Sequence, residues 1–505
     1  MYKMKTTEEH DDSYSHVLKY AGIFGGVQGL NILLGLVRNK IVALLLGPMG
    51  MGLASLFNSV VNFISQATTF GISISAVRHV SELFDTGDTE RITHFVKVVR
   101  LWSLATALLG MVVCMLAGPL LSNSTFSWGN HTLHFVLLAP AIGCMAIMGG
   151  ENAILKGARK LRPLAIIQLL SMVAALLIAL PTYYLFGEAG IVPVIVLTAG
   201  ANLLFTVRYS YRLYPLQLNI SHSLKQMLRE GNSMLRLGIA FVIAGVMGSG
   251  AEMLIRSFIN VHGNLDDVGF YNAGYVLVVS YASMVFSSME ADYFPRLSAI
   301  GNHVEDMRLT VNRQIEVSVL MATPMLSVLI MALPILMPML YSSEFMPVVA
   351  MSQIAVFSMY LRCVSLPISY LTLARGDSLT YMLLEACYDV VFVLLIILGY
   401  TRYGLVGTGV ALSLAYVFEI AIVYLITRLR YGYRFSWAVI GYTALQLALG
   451  AFVFFAAKQQ NAWLHWGLGS IGCAVSIGIS LFVLHKKTSL WNVLKQKVIS
   501  RFRHA

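Results

Sequence analysis

Charge is scarce in this 505-residue chain. Asp, Glu, Lys and Arg make up 12% of it against 57% hydrophobic residues, with a mean hydropathy of +0.74; a soluble domain carries about 25% charged residues. A water-exposed globular surface is therefore excluded. No Gly-rich loop closed by Lys and Ser or Thr is present, so ATP hydrolysis in a phosphate cradle is excluded as well. The five cysteines (Cys114, Cys144, Cys363, Cys387, Cys473) all lie in apolar runs without ligand spacing, so neither a disulfide framework nor a metal site is expected. The histidines are scattered, and no catalytic constellation emerges. No polar stretch is long enough for a soluble domain that would hold a nucleotide sugar. The chain reads as a non-enzyme without cofactor. Its net charge of +11 does not point to nucleic acid, because basic loops on one side are the rule for membrane proteins. The first 16 residues are polar and mixed in charge, unlike a signal peptide, which makes the first helix an expected uncleaved anchor.

What is present is a series of apolar runs of about 20 residues, the length a helix needs to cross a bilayer. Helices are predicted near 17–46, 51–77, 98–122, 132–156, 164–186, 190–208, 237–261, 269–294, 315–341, 348–373, 379–400, 405–427, 437–457 and 466–485. The expected fold is an all-α polytopic membrane protein with about 14 transmembrane helices. The basic residues test this count. Of 35 Lys and Arg, only Arg402 and Lys458 fall in loops assigned to the outer side. Four more, Arg38, Lys40, Arg256 and Arg362, fall inside helices, and all the rest lie on the side of the termini. That asymmetry places both termini in the cytoplasm of a bacterial inner membrane.

Internal similarity organises the chain further. Ile154-Leu155-Lys156-Gly157-Ala158-Arg159 resembles Tyr370-Leu371-Thr372-Leu373-Ala374-Arg375, Gly190-Ile191-Val192 resembles Gly404-Leu405-Val406, Gly52 matches Gly269, and Arg38 matches Arg256. The offsets are nearly equal and span six helices, so two six-helix bundles of the same orientation are expected, related by a pseudo-two-fold along the membrane normal. The expected organisation is a cytoplasmic N-terminus (1–16), an N-terminal bundle (17–208), a cytoplasmic linker (209–236), a C-terminal bundle (237–427), two further helices (437–485) and a basic cytoplasmic tail (486–505).

With these motifs assembled, the chain resembles the multidrug/oligosaccharidyl-lipid/polysaccharide exporter superfamily. Within it, the chain is most similar to the O-antigen and polysaccharide repeat-unit flippases. The resemblance rests on Arg38 followed by an apolar run and Gly47-Pro48-x-Gly50-x-Gly52, on Arg256 with Asp267-Val268-Gly269-x-Tyr271, on Phe294-Pro295-Arg296-Leu297-Ser298, and on the Leu155-to-Arg159 end of helix 4. It covers roughly residues 15–430. It implies alternating-access transfer of an undecaprenyl-diphosphate-linked oligosaccharide from the cytoplasmic to the periplasmic leaflet. The implied partners are that lipid-linked substrate, membrane lipids and a polysaccharide polymerase complex. Many of these flippases have twelve helices, whereas lipid II flippases have fourteen, so lipid II stays open as substrate. A cation-coupled multidrug exporter of the same superfamily is the other alternative.

The embedded charges are the candidate site residues, because a charge in hydrocarbon is costly and usually functional. Arg38, Lys40, Arg256 and Arg362 are candidates for a cationic cavity that offsets the charge of a diphosphate. Snorkelling to headgroups is the competing reading. Glu252 stands one turn before Arg256, either as a structural partner or as a group that substrate displaces. Glu385 and Asp389 are spaced i,i+4, which suits a proton or sodium site. Glu290, Asp292 and Glu419 complete the expected gating or coupling set.

Overall fold

The computed structural model describes residues 7–86, 88–126, 129–215, 224–300, 303–459 and 461–487. Regular structure among them is helical throughout: α1 (Thr7–Thr68), α2 (Ile72–Thr86), α3 (Thr89–Thr125), α4 (Thr132–Gly157), α5 (Leu161–Phe186), α6 (Ile191–Leu213), α7 (Leu224–His262), α8 (Leu265–Ala299), α9 (Val304–Leu340), α10 (Val348–Ala374), α11 (Ser378–Tyr431), α12 (Trp437–Ala457) and α13 (Ala462–Lys487). Ten stretches among the described residues are long and apolar enough to cross a membrane, so the protein is a multi-pass membrane protein. Two compact units are present, divided at Ser249 and Gly250 within α7. Of the expected cytoplasmic segments, residues 1–6, 216–223 and 488–505 lie outside the described residues; α1 begins inside the expected N-terminal segment, and α6 ends and α7 begins inside the expected linker.

Three of the long apolar stretches each hold two of the predicted segments, and glycine makes each division. Gly47 interrupts α1 at φ 65°, ψ −170°. Gly187 ends α5 at φ 54°, ψ −130°, before a short 3₁₀ turn leads into α6. Gly404 interrupts α11 at φ 58°, ψ −143°. That region of backbone space is essentially closed to residues with a Cβ. The two arms of α11 return alongside each other. A Cβ on Gly399 would lie 2.5 Å from the carbonyl oxygen of Gly407. At the far end Asp377, which caps the first arm, accepts from Tyr431 Oη at 2.8 Å and pairs with Arg430 at the close of the second. With α8 covering the predicted 269–294 segment, the helix pattern agrees with the sequence expectation.

The internal repeat also appears in the backbone. Gly187 and Gly404 stand 217 residues apart with nearly the same torsion angles. Arg159 and Gly376, again 217 apart, both take positive φ, 55° and 73°. Each closes the same helix-ending pattern: Lys160 N donates to Leu155 O at 2.9 Å, and Asp377 N donates to Thr372 O at 3.0 Å. These equivalences shift the sequence pairing by a few residues, since Gly404 had been matched to Gly190. The conformation of the turn, and not the apolar residues after it, fixes the register.

One predicted helix ends too late. The segment 51–77 stops at Thr68, because Phe70 (φ 48°) and Gly71 (φ 67°) reverse the chain. Residues 72–86 form α2, a separate amphipathic helix. Its Ile72 and Ala76 pack with Ile92, Val96 and Val99 of α3 and with Ala153 and Ile154 of α4. Within the first unit α4 is central, touching α1, α2, α3 and α6. In the second unit α10 has that place, against α8, α9, α11 and α12. Its buried face is built from small residues such as Ser352, Ala355, Ser358 and Ser365, which let neighbouring backbones approach.

Two outcomes follow. Gly404→Ala meets no atom within 4 Å, so its effect is purely torsional. It is expected to lower stability by about 1–3 kcal/mol in thermal unfolding, whereas Gly441→Ala, equally uncrowded but inside α12, is expected to be neutral or stabilising by up to about 1 kcal/mol. Burial alone raises the Asp377 carboxyl, but hydrogen bonds from Thr380 and Tyr431 and the Arg430 charge outweigh it and hold the carboxyl below its usual range. A depressed carboxylate stabilises the fold above its unfolded pKa of about 4, and that contribution is lost as pH falls through the folded value. Asp377→Asn should therefore lower stability at pH 7 and flatten the acid limb of a stability-against-pH profile, bringing wild type and variant together at low pH.

Candidate functional site

Most of the embedded charges predicted to matter meet in the second unit, on α7 beyond Gly250 and on α10 and α11. Arg256 is 6% exposed. One turn earlier on α7, Glu252 accepts from its Nη1 at 2.9 Å, and Asn272 of α8 accepts from its Nη2 at 3.2 Å. The i,i+4 spacing places the carboxylate on the guanidinium's own face, as the sequence suggested. Arg256 Nε has no hydrogen-bond partner among the described residues, and the Glu252 side chain is 43% exposed. The pair thus combines a buried cation that keeps an open donor with an anion that reaches a wetter region.

Aromatic rings continue the site. Tyr271 stacks on Tyr275 with ring centroids 5.8 Å apart. Arg362 of α10 donates to Tyr416 Oη at 2.9 Å and lies 5.9 Å from the ring centroids of both Phe286 and Tyr416. Tyr388 packs against Tyr416 at 5.3 Å and against Phe392 at 5.7 Å. An arginine enclosed by rings is desolvated yet remains attracted to their faces. Glu419, one turn beyond Tyr416, and Glu385 of the first α11 arm both lie in the field of Arg362. Asp389 lies in the field of Glu385 and of Glu252. One chain of interacting charges therefore runs Glu252, Asp389, Glu385, Arg362, Glu419, with Arg256 at its head. Glu419 Oε2 is buried without a hydrogen-bond donor among the described residues.

Arg38 and Lys40 belong to the first unit, on α1. Both are half-buried, and Arg38 lies within electrostatic reach of Tyr183 of α5. Just beyond them α1 and α5 form a shallow, open apolar groove lined by Ile41, Leu44, Leu45, Leu180, Pro181 and Tyr184. Glu290 and Asp292 lie outside the residues whose side chains are described.

Sequence reasoning missed the aromatic members. Tyr381, Glu385, Tyr388 and Phe392 do form an i, i+4, i+7, i+11 stripe on α11, the signal that was there to read. It also missed a buried ion pair of the first unit. The charge count puts Arg100 among the basic residues on the side of the termini. It binds Glu151, with Nε to Oε1 at 2.8 Å and Nη2 to Oε2 at 3.3 Å. Ser210 of α6 donates to the same carboxylate at 2.5 Å, and Tyr211 lies under the guanidinium at 4.0 Å. Arg100 and Glu151 are 11% and 1% exposed, and together they tie α3, α4 and α6.

The fold defined here is that of a class of membrane transporters. An inward-facing multidrug resistance MATE family transporter of the MOP superfamily aligns with a TM-score of 0.69 at 16% identity, over 80% of this chain and 94% of its own. The lipid II flippase MurJ in an inward closed conformation aligns with a TM-score of 0.63 at 15% identity, over 91% of this chain and 99% of its own. A MOP superfamily transporter from Pyrococcus furiosus, described as having reverse polarity of its binding pocket, aligns at 0.56 and 15% identity, over 81% and 93%. No curated protein matches the chain. The model of the polysaccharide biosynthesis protein family matches residues 41–350, and the chain belongs to that family.

Removing one member of the Arg100–Glu151 pair leaves a buried charge without its partner. Glu151→Ala is expected to cost about 3–5 kcal/mol of stability, read as a lowered unfolding temperature in detergent. The double variant Arg100→Met/Glu151→Leu should recover most of that loss.

Proposed function

We infer that the protein is a flippase. It carries an undecaprenyl-diphosphate-linked oligosaccharide, an O-antigen or related polysaccharide repeat unit, from the cytoplasmic to the periplasmic leaflet of a bacterial inner membrane by alternating access. The observation that carries this reading is Arg256: a guanidinium buried in a membrane bundle, with one donor unpaired among the described residues and a partly exposed carboxylate beside it. Guanidinium groups bind phosphate oxygens through paired donors, and a diphosphate entering hydrocarbon needs such donors to replace water. Membership of the polysaccharide biosynthesis protein family and the transporter fold support the same reading. In it Arg38 and Lys40 supply further cations from the first unit. The half-buried Tyr275 and Tyr388 rings are the candidates for stacking on sugars. The carboxylates Glu385, Asp389 and Glu419 set the charge of Arg362 and respond to a proton or sodium ion, so that cation entry resets the carrier once the anionic substrate has left. A polysaccharide polymerase complex is the natural recipient of the product.

Lipid II is the second reading of the substrate. The lipid II flippase structure aligns with 91% of this chain, where the MATE family structure above aligns with 80%. A multidrug exporter is less favoured, because buried arginines repel organic cations.

The test is flipping in proteoliposomes with a fluorescent undecaprenyl-diphosphate oligosaccharide. Wild type should move it. Arg256→Ala should lose roughly thirtyfold in rate, the equivalent of about 2 kcal/mol for lost charge-assisted hydrogen bonds, and Arg256→Lys should recover part of that. Efflux of organic cations by wild type, with no movement of any lipid-linked glycan, would overturn the reading.

A further inference from the structure

A second site lies in the second unit, apart from the charge network above. The N-terminal turns of α9, the start of α12 and the end of α13 enclose a cavity of about 850 Å³. Six charged side chains line it: Glu305, Arg308, Arg313, Glu316, Arg434 and Lys487. Four of these charges cancel in pairs. Arg308 binds Glu305, and Lys487 binds Glu316 at 2.5 Å. Arg313 and Arg434 remain. Both are exposed, and neither forms an ion pair among the described residues. The cavity therefore carries a surplus of two positive charges.

The cavity wall is built rather than incidental. Asn312 of α9 is 7% exposed and spends its amide on the connection between α11 and α12. Its Nδ2 donates to Arg434 O at 3.0 Å, and its Oδ1 accepts from Tyr433 Oη and from Ser436 N, each at 3.0 Å. Arg308 Nε adds a bond to Gly432 O at 2.7 Å. These four contacts fix residues 432–436 against α9. They hold Arg434 at the rim and Ser436, the N-cap of α12, in the wall.

Two further features set what fits. Apart from Asn312 and Ser436 the rest of the lining is apolar, including Leu309, Val317, Leu320 and Leu484, so a free inorganic anion would leave it unmatched. Next to the cavity, Trp437 is 88% exposed at the first position of α12, and α13 closes on His485-Lys486-Lys487. Exposed Trp and terminal Lys mark the level of the bilayer headgroups. Basic pockets between helices at that level hold anionic headgroups.

We propose that this cavity between α9, α12 and α13 is a binding site for an anionic phospholipid. Arg313 and Arg434 take the phosphate oxygens, and the apolar wall takes the first part of the acyl chains. A headgroup with two phosphates, as in cardiolipin, matches the surplus of two charges. Occupancy would join α13 to α9 through the lipid in addition to the Lys487–Glu316 pair, and so would steady the C-terminal helix pair against the bundle.

The test is native mass spectrometry of the full-length protein in detergent. It would be titrated separately with cardiolipin, phosphatidylglycerol, zwitterionic phosphatidylethanolamine, undecaprenyl diphosphate and inorganic pyrophosphate. The variant is Arg313→Gln/Arg434→Gln. The control is Arg402→Gln/Lys458→Gln, which removes the same charge from exposed positions elsewhere. Because Arg313 and Arg434 are exposed, folding should survive their loss, and a circular dichroism melt checks this. Wild type and control should retain cardiolipin or phosphatidylglycerol over phosphatidylethanolamine, and the variant should bind them roughly tenfold or more weakly. Equal retention by all three proteins, or equal loss in variant and control, would overturn the site. Preferential retention of undecaprenyl diphosphate, or full competition by pyrophosphate alone, would overturn the phospholipid assignment.

Discussion

Much of this structure depends on one constraint: a guanidinium placed among apolar helices must find anions, acceptors or rings close by. Water is absent there, so nothing else offsets the loss of hydration. Each buried arginine described here meets the requirement in a different way. Arg100 is held two-pronged by Glu151 and covered by a tyrosine, a closed arrangement that joins three helices. Arg362 is surrounded by rings and lies in the field of two acids. Arg256 keeps one donor unused and has a partner that reaches a wetter region. The first arrangement suits a fixed joint. The last suits a site whose partner changes.

The second constraint is on the backbone. Helices that must reverse within a few residues at the edge of a membrane have few conformations available. The glycines at 187 and 404 adopt the same one, 217 residues apart. The helix ends at Arg159 and Gly376 repeat at that spacing as well, with the same hydrogen-bonding pattern. Two units built by one set of local rules need not keep the same side chains. The Arg100–Glu151 joint has no charged equivalents 217 residues later, where Val317 and Ile368 stand. The charge network on α10 and α11 belongs to the second unit alone. The units share their turns and differ in their chemistry.

What the sequence made legible follows from how local each feature is. The Gly47-Pro48 break, the Glu252–Arg256 pair and the two carboxylates at 385 and 389 are written within five residues, and all three could be read directly. The reversal at Phe70 was hidden, because a bulky apolar residue rarely takes positive φ and Gly71 sits inside what looks like one hydrophobic run. Asn272 reaches Arg256 from another helix, and Arg362 meets Glu419 across two, so no spacing rule could pair them. Arg100 was missed for a different reason. Counting positive charges assigns it to a membrane side, but says nothing about whether its side chain turns inward to an acid 51 residues away. The cavity at Arg313 and Arg434 was invisible for the same cause: its walls come from segments more than 100 residues apart.

The central claim is that Arg256 serves a diphosphate and that Glu252 holds its place until the substrate arrives. Binding of undecaprenyl-diphosphate oligosaccharide to Glu252→Gln, against wild type at fixed ionic strength, tests it most directly. Neutralising a competitor should tighten binding roughly fivefold, the equivalent of about 1 kcal/mol for a partly exposed ion pair. The same change should leave binding of an uncharged lipid-linked glycan unaltered. Weaker binding of the diphosphate substrate by Glu252→Gln would contradict the claim, because it would show that the carboxylate helps to build the site that it is said to vacate.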